Sequence, residues 1–260
     1  MKLDIKSFII GILATVNMFL LMGFDDHDEE NQNGRYQVII DSKGDQYWYD
    51  TRYGDKIAIG SKSYGYEIAE QLGWKTPDNV VVPVAGSSLI TKIWKAFHEF
   101  EMLGLVEKVQ SKIFAAQATG CAPVTTAIKN GSENIVPVKP NTIAKSIAIG
   151  NPADGYYGIK TANMSGGYGE DVSDQEVVES MKLLAETEGI FTETAGGVTV
   201  GVTKKLVEQG RIKPDETTVI CITGNGLKTQ EALADCFEAP MVIEPKVDSF
   251  EEIFENSLTV

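Results

Sequence analysis

Residues 80–103 read VVVPVAGSSLITKIWKAFHEFEML. The run Val80–Val84 is continuously apolar and β-branched, as in a strand buried on both faces. The segment from Ser87 to Leu103 then places Leu89, Ile93, Ala96, Phe97 and Phe100 on one stripe of a helix. Between them lies Val82-Pro83-Val84-Ala85-Gly86-Ser87-Ser88, a loop of small residues at a helix entry. A strand running into a helix through such a turn is the unit from which parallel α/β sheets are built.

Working outward, the same alternation continues. Ile113–Ala118 is predicted as a second strand, and Gln175–Glu188 as a helix behind the cap Ser173 and Asp174. Val198–Gln209 is predicted as a helix stopped by Gly210, Thr217–Thr223 as a β-branched strand and Gly226–Phe237 as a further helical stretch. The expected fold class is therefore α/β, a mostly parallel sheet with helices on both faces. Upstream, YQVII and QYWYD flank the turn-forming Asp41–Asp45, which predicts a β-hairpin within residues 32–59. A domain boundary is placed near Gly60, so that residues 60–260 form the main body.

Residues 1–31 differ in texture. Lys2, Asp4 and Lys6 precede an uncharged run from Phe8 to Phe24, which an acidic tail from Asp25 to Glu30 follows. The pattern is that of an uncleaved membrane anchor at the short end of a bilayer span, or of a hydrophobic helix packed on a soluble body.

Composition removes several functions. Lys and Arg number 23 against 37 Asp and Glu, a formal charge of −14, which repels nucleic acid. Cys121, Cys221 and Cys236 form no CxxC pair, and His27 and His98 have no ligand-spaced neighbours, so neither a disulfide scaffold nor a metal centre is expected.

In open α/β sheets ligands sit at the carboxyl ends of strands. The turn at Ala85–Ser88 can hold a phosphate on the unpaired N–H groups of a helix N-terminus, or can be a plain helix cap. Thr223, ending a strand ahead of Gly224-Asn225-Gly226-Leu227-Lys228, can hydrogen-bond the edge of a flat ligand, or can cap a tight turn. In the stretch Glu188–Gly197, Glu193 is one carboxylate inside an otherwise uncharged run, and it can orient a ligand group or cap the helix that begins near Val198. Gly150-Asn151-Pro152 is a turn after the apolar run Ile147–Ile149.

Taken in order, these four segments resemble threonine synthase. Gly60-Ser61-Lys62, Tyr66–Trp74 and Ile143–Ser146 extend the likeness over about 200 residues. The resemblance implies a tryptophan-synthase β-like fold and pyridoxal 5′-phosphate as cofactor. It implies conversion of the small molecule O-phosphohomoserine, with water, to threonine and phosphate in the cytoplasm. By the same resemblance Ala85, Gly86, Ser87 and Ser88 cradle the cofactor phosphate, and Thr223 meets the pyridine nitrogen. Gly150 and Asn151 lie near the ring, with Glu193 at its edge.

Two departures stand out. Gly86 precedes Ser87, so the residue free to take positive φ has shifted by one place. The family's amino-terminal third, with its Ser-Phe-Lys-Asp segment for the Schiff-base lysine, is not found, and Lys62 and Lys145 sit in other family motifs. The expectation is no turnover by this chain alone, and self-association through apolar surface that a further lobe would cover. The alternatives are another lyase of this fold, such as a hydroxyamino-acid dehydratase, or a non-catalytic product that binds a phosphorylated ligand or a partner chain.

Overall fold

The computed structural model describes residues 36–40, 46–50, 55–56, 59–236 and 242–257. The apolar run at 8–24 and its acidic tail lie outside these described residues. Among them, no helix is long and apolar enough to cross a membrane.

The expected hairpin is present. Strand β1 (Tyr36–Ile40) pairs antiparallel with β2 (Gln46–Asp50) in the register Val38 to Trp48, and the two-residue β3 (Asp55–Lys56) adds to β2. Helix α1 (Ile59–Gln71) follows. Strand β4 (Asn79–Pro83) and helix α2 (Ser88–Met102) are the pair read from residues 80–103. Next come β5 (Lys112–Ala118), α3 (Pro123–Lys129), α4 (Gly155–Met164), β6 (Gly169–Val172), α5 (Asp174–Glu188) and α6 (Thr194–Glu208). The short strand β7 (Thr218–Ile220) and helix α7 (Val247–Ser257) complete the order.

Strands β6, β5, β4 and β7 lie side by side in that order and all run parallel. Successive strand residues face opposite sides, which divides the core in two. Val80 and Val82 pack with Ile93 and Phe97 of α2, Val124 of α3 and Ile159 of α4. Val81 and Phe114 pack with Met181 of α5 and Val198, Val202 and Leu206 of α6. Helices therefore cover both faces, and each large apolar side chain so buried contributes roughly 1.5–3 kcal/mol.

Helix α5 is delimited as its sequence dictates. Ser173 and Glu176 form a reciprocal capping box, and Gly189, at φ 68°, ends the helix in the left-handed conformation that glycine adopts without strain. Helix α6 begins at Thr194, four residues before the expected Val198, because the two glycines in its first turn, Gly196 and Gly197, are contact residues. A Cβ on Gly197 would lie 2.6 Å from Met181 Cγ and 2.7 Å from the Val177 carbonyl oxygen. The missing side chain lets α6 lie close against α5.

Strand β7 is shorter than the expected Thr217–Thr223, and Pro83 supplies the reason. Backbone groups of alternate residues in a strand face the same neighbour. Val81 accepts from the N–H of Cys221 on the β7 side at 3.0 Å, while Val84 donates to Ala116 on the β5 side. Position 83 would donate toward β7, and proline has no N–H to give. The ladder stops there, and the chain beyond Cys221 is free to leave the sheet. The stretch expected to be helical from Gly226 to Phe237 forms two 3-10 segments, Gly226–Lys228 and Gln230–Cys236. Thr229 interrupts them, its hydroxyl accepting from the N–H of Thr194 at 3.0 Å.

Candidate functional site

The chain builds outward from β4 through β5 to β6, then returns to place β7 on the other side of β4. The turns after β4 and β7 thus diverge from neighbouring strands at one edge of the sheet. This is a topological switch point, where the crevice of an open α/β sheet lies. Ala85–Ser88 follows β4, and Thr223 follows β7.

Ser87 is the N-cap residue of α2, and its conformation is unusual. It takes φ 75° and ψ 4°, and its side chain makes no capping hydrogen bond. A serine cap ordinarily has extended backbone and accepts from the second or third helical N–H. Here the left-handed backbone turns the hydroxyl instead toward α4. A Cβ on Gly158 would stand 2.5 Å from Ser87 Oγ, and that buried oxygen has no hydrogen-bond partner. Among the described residues no side chain caps the first N–H groups of α2, as an external anion requires. Gly86 opens the approach: a Cβ there would meet only Ile149 Cδ1, at 3.9 Å. The sequence places positive φ at Gly86, whereas the structure places it at Ser87.

The Gly150-Asn151 turn lies beside this loop. Asp154 donates its N–H to the Gly86 carbonyl at 3.1 Å, and Gly150 accepts from the N–H of Val138 at 3.0 Å. A Cβ on Gly150 would overlap the Val138 carbonyl oxygen, at 1.8 Å, so the turn requires glycine. Asn151 is exposed.

At the other strand, Thr223 is exposed, and among the described residues its hydroxyl has no partner. The turn beyond it is stitched to the start of α6. Glu193 N–H donates to the Gly224 carbonyl at 3.0 Å, Gly226 N–H donates to Phe191, and Thr192 and Asn225 form a β-bridge. The Glu193 carboxylate is 2% exposed, lies against Gly224 and pairs with Lys228 at 2.8 Å. Ala85, Gly86, Ser87, Ser88, Gly150 and Asn151 therefore form one group, and Glu193 and Thr223 a second, on adjoining strands. Lys228, Phe191, Asp154 and Ile149 are contributors that lie within the motif segments but receive no role from the sequence; the five-residue spacing from Thr223 to Lys228 was the available signal.

Several other titratable groups among the described residues are buried or paired. Cys221, two residues before Thr223, has its thiol pushed up to about 12 by burial, which keeps it un-ionised and inert. Burial likewise raises Tyr64, which hydrogen-bonds to Cys221. Lys62 is buried and paired with Glu99 at 2.6 Å, and Tyr66 donates to the same carboxylate. Lys145 is exposed in the short turn Lys145–Ile147. Among the described residues no cluster of His, Cys, Asp and Glu could hold a metal. A groove between α5 and α6 mixes both signs, with Glu176, Lys182, Lys204, Lys205 and Glu208 in its walls, and shares no residue with the two turns.

Comparison with known proteins gives the family and the fold. The chain is similar to threonine synthase of Methanocaldococcus jannaschii, 41% identical over 198 residues, covering 76% of this chain and 49% of that protein. It is 40% identical over 194 residues to threonine synthase of Methanosarcina acetivorans, covering 74% and 48%. The chain thus spans about half the length of the curated relatives it matches. Among solved structures, an L-serine ammonia-lyase from Rhizomucor miehei superposes with a TM-score of 0.53 at 18% identity, covering 66% of this chain and 54% of that one. Processed threonine deaminase isoform 2 from Solanum lycopersicum gives 0.53 at 19%, covering 69% and 49%. Both share the fold. Residues 24–224 match the family described as pyridoxal-phosphate dependent enzyme, and on that match, set on a switch-point crevice with an uncapped helix N-terminus, the chain belongs to that family.

Proposed function

We propose that residues 60–260 hold pyridoxal 5′-phosphate across the β4–β7 switch point, as part of a threonine synthase acting on O-phosphohomoserine. The observation that carries the reading is the uncapped start of α2. Ser87 withholds its hydroxyl from the helix, so the backbone N–H groups at the turn are left for a phosphate. Gly86 lets the anion reach the backbone, and Ser88, partly exposed at the first helical position, offers its hydroxyl. Gly150 and Asn151 border the crevice, and Thr223 would donate its hydroxyl hydrogen to the ring nitrogen. When bound, the cofactor supplies an electron sink for carbanion chemistry. A neutral hydroxyl at the nitrogen leaves that nitrogen largely unprotonated and moderates the sink.

The reaction also needs an amine to engage the aldehyde and carry protons. Lys62 is committed to Glu99 and Lys228 to Glu193, so neither is offered for that role, and on this reading the Schiff-base lysine comes from outside the cofactor-binding part. The relatives' names support the threonine synthase reading over a hydroxyamino-acid dehydratase, because the ammonia-lyase and deaminase likenesses extend only to the fold.

The test is a titration of the purified chain with pyridoxal phosphate. Saturable binding, competed by inorganic phosphate and weakened in Thr223→Val, is expected, with no borohydride-trapped lysine adduct. Absence of saturable binding overturns the reading. Adding the amino-terminal half of a threonine synthase should then release phosphate from O-phosphohomoserine; release of ammonia from serine or threonine would favour the dehydratase instead. On the same reading the chain self-associates through exposed apolar side chains such as Val247 and Phe250 of α7. A single monomeric peak in size-exclusion chromatography, independent of concentration, would contradict that.

A further inference from the structure

We propose that Glu193 and Lys228 form a clasp that positions Thr223, a role resting on the cofactor reading above but testable without the cofactor. Thr223 stands two residues beyond the last ladder hydrogen bond of β7, the Cys221 to Val81 contact at 3.0 Å. Nothing in the sheet holds it. What holds it is the turn that follows, and that turn is folded around one carboxylate.

Glu193 is 2% exposed. A Cβ on Gly224, the residue after Thr223, would lie 2.1 Å from Glu193 Oε1 and 3.1 Å from Lys228 Nζ. The carboxylate and the ammonium thus both press on the backbone of position 224, where only glycine fits. Two hydrogen bonds fix the Gly224 carbonyl from the same side, from Glu193 N–H at 3.0 Å and from Thr192 Oγ1 at 3.3 Å. Lys228 reaches back across the turn to Glu193 Oε2 at 2.8 Å. That oxygen is buried and has no directed hydrogen bond, so the contact is chiefly Coulombic and Lys228 carries the compensation. A buried carboxylate that loses its partner is strongly disfavoured. The cheapest escape is to open the turn to water, and Thr223 moves with it. Lys228 itself is 58% exposed, so replacing it leaves the core untouched. Glu193 on this account is a positioning residue, acting on the crevice through Gly224 and Thr223.

Hydrogen exchange measured by mass spectrometry on the full cofactor-free chain tests the clasp. In Lys228→Met, peptides spanning 222–229 should exchange about three- to tenfold faster, the upper end tempered by the solvent exposure of the lysine. Peptides from 84–90 should be unchanged. Lys228→Arg should restore the wild-type rate, and the neutral pair Glu193→Gln with Lys228→Met should exchange more slowly than Lys228→Met alone. Wild-type exchange in Lys228→Met, or no rescue by arginine, overturns the clasp. Titration with pyridoxal phosphate forms a separate arm. Binding weakened in Lys228→Met and restored in Lys228→Arg supports the positioning of Thr223, and equal binding in both overturns it. A wild-type chain that binds none removes the cofactor reading, while the exchange result still decides the clasp.

Discussion

Replacing Ser87 by glycine should stabilise the protein, and the gain should appear in full only when Gly158 is varied with it. Ser87 holds φ 75°, which costs a non-glycine residue about 1–2 kcal/mol. Its buried hydroxyl has no partner, a further penalty of about 1–3 kcal/mol. Against these, glycine adds up to about 1 kcal/mol of unfolded-chain freedom, and a small void opens. The net expectation for Ser87→Gly is a gain of about 1–2 kcal/mol. Gly158→Ala alone should destabilise by about 1–3 kcal/mol, since its Cβ would stand 2.5 Å from Ser87 Oγ and 2.7 Å from Ser87 Cβ. Without the serine side chain the next neighbour is Ile90 Cγ2, at 3.7 Å, an ordinary contact. The same substitution should then gain the helix preference of alanine over glycine, about 0.8–1 kcal/mol. Urea melts of the four proteins measure the coupling directly. Additivity within about 0.5 kcal/mol would refute the reasoning. Because the hydroxyl points at α4, affinity for pyridoxal phosphate should be unchanged in Ser87→Gly. A fall would place that oxygen on the phosphate instead.

Three other outcomes are expected. Hydrogen bonds from Lys112, from the Lys213 N–H and from Asn79 hold the Glu216 carboxyl at about 2, against an ordinary 4.5; its contribution is present above pH 4.5 and lost as pH falls from there toward 2. Acid titration of stability should therefore be shallower in Glu216→Gln over that window, and identical curves would remove the effect. Native protein treated with a thiol reagent at pH 8 should label Cys236 but not the buried Cys121 or Cys221, both held above their usual range by burial; mass spectrometry of the digest reads this. Gly150→Ala should lower the melting temperature sharply, because its Cβ would lie 1.8 Å from the backbone oxygen of Val138, and an unchanged melt would show that the turn can yield.

The sequence made the layered core legible because β4 is covered on both faces. Val80, Val81 and Val82 are all buried, so the strand had to be apolar without interruption. Helix α5 was equally plain, since its cap and its stop are both written in side chains. Strand β6, Gly169-Glu170-Asp171-Val172, was hidden because it lies at an edge and its two acids are taken up in side-chain pairs. Lys129 pairs with both Glu170 and Asp171, and Gln209 donates to Glu170. Its polarity reads as loop until those partners are known. The glycines of α6 misled for the opposite reason, since local propensity treats Gly196-Gly197 as a break, whereas close packing against α5 requires Gly197 and the Thr192 side chain requires Gly196.

The candidate site divides along the same line. Which turns form it could be read locally, because strand ends followed by small residues mark a sheet's carboxyl edge. Which of those turns face one another could not, because that depends on where β7 inserts. Had β7 paired outside β6, Thr223 would stand three strands from Gly86 and no single flat ligand could touch both. Its actual place beside β4 is fixed by the register of Val81 with Ile220, and its early departure by the absent N–H of Pro83. One proline thus both ends the ladder and opens the crevice between the two turns. Once the strand has left the sheet, the position of Thr223 is no longer a property of the sheet at all, and it passes to the buried carboxylate of Glu193 and the lysine that balances it.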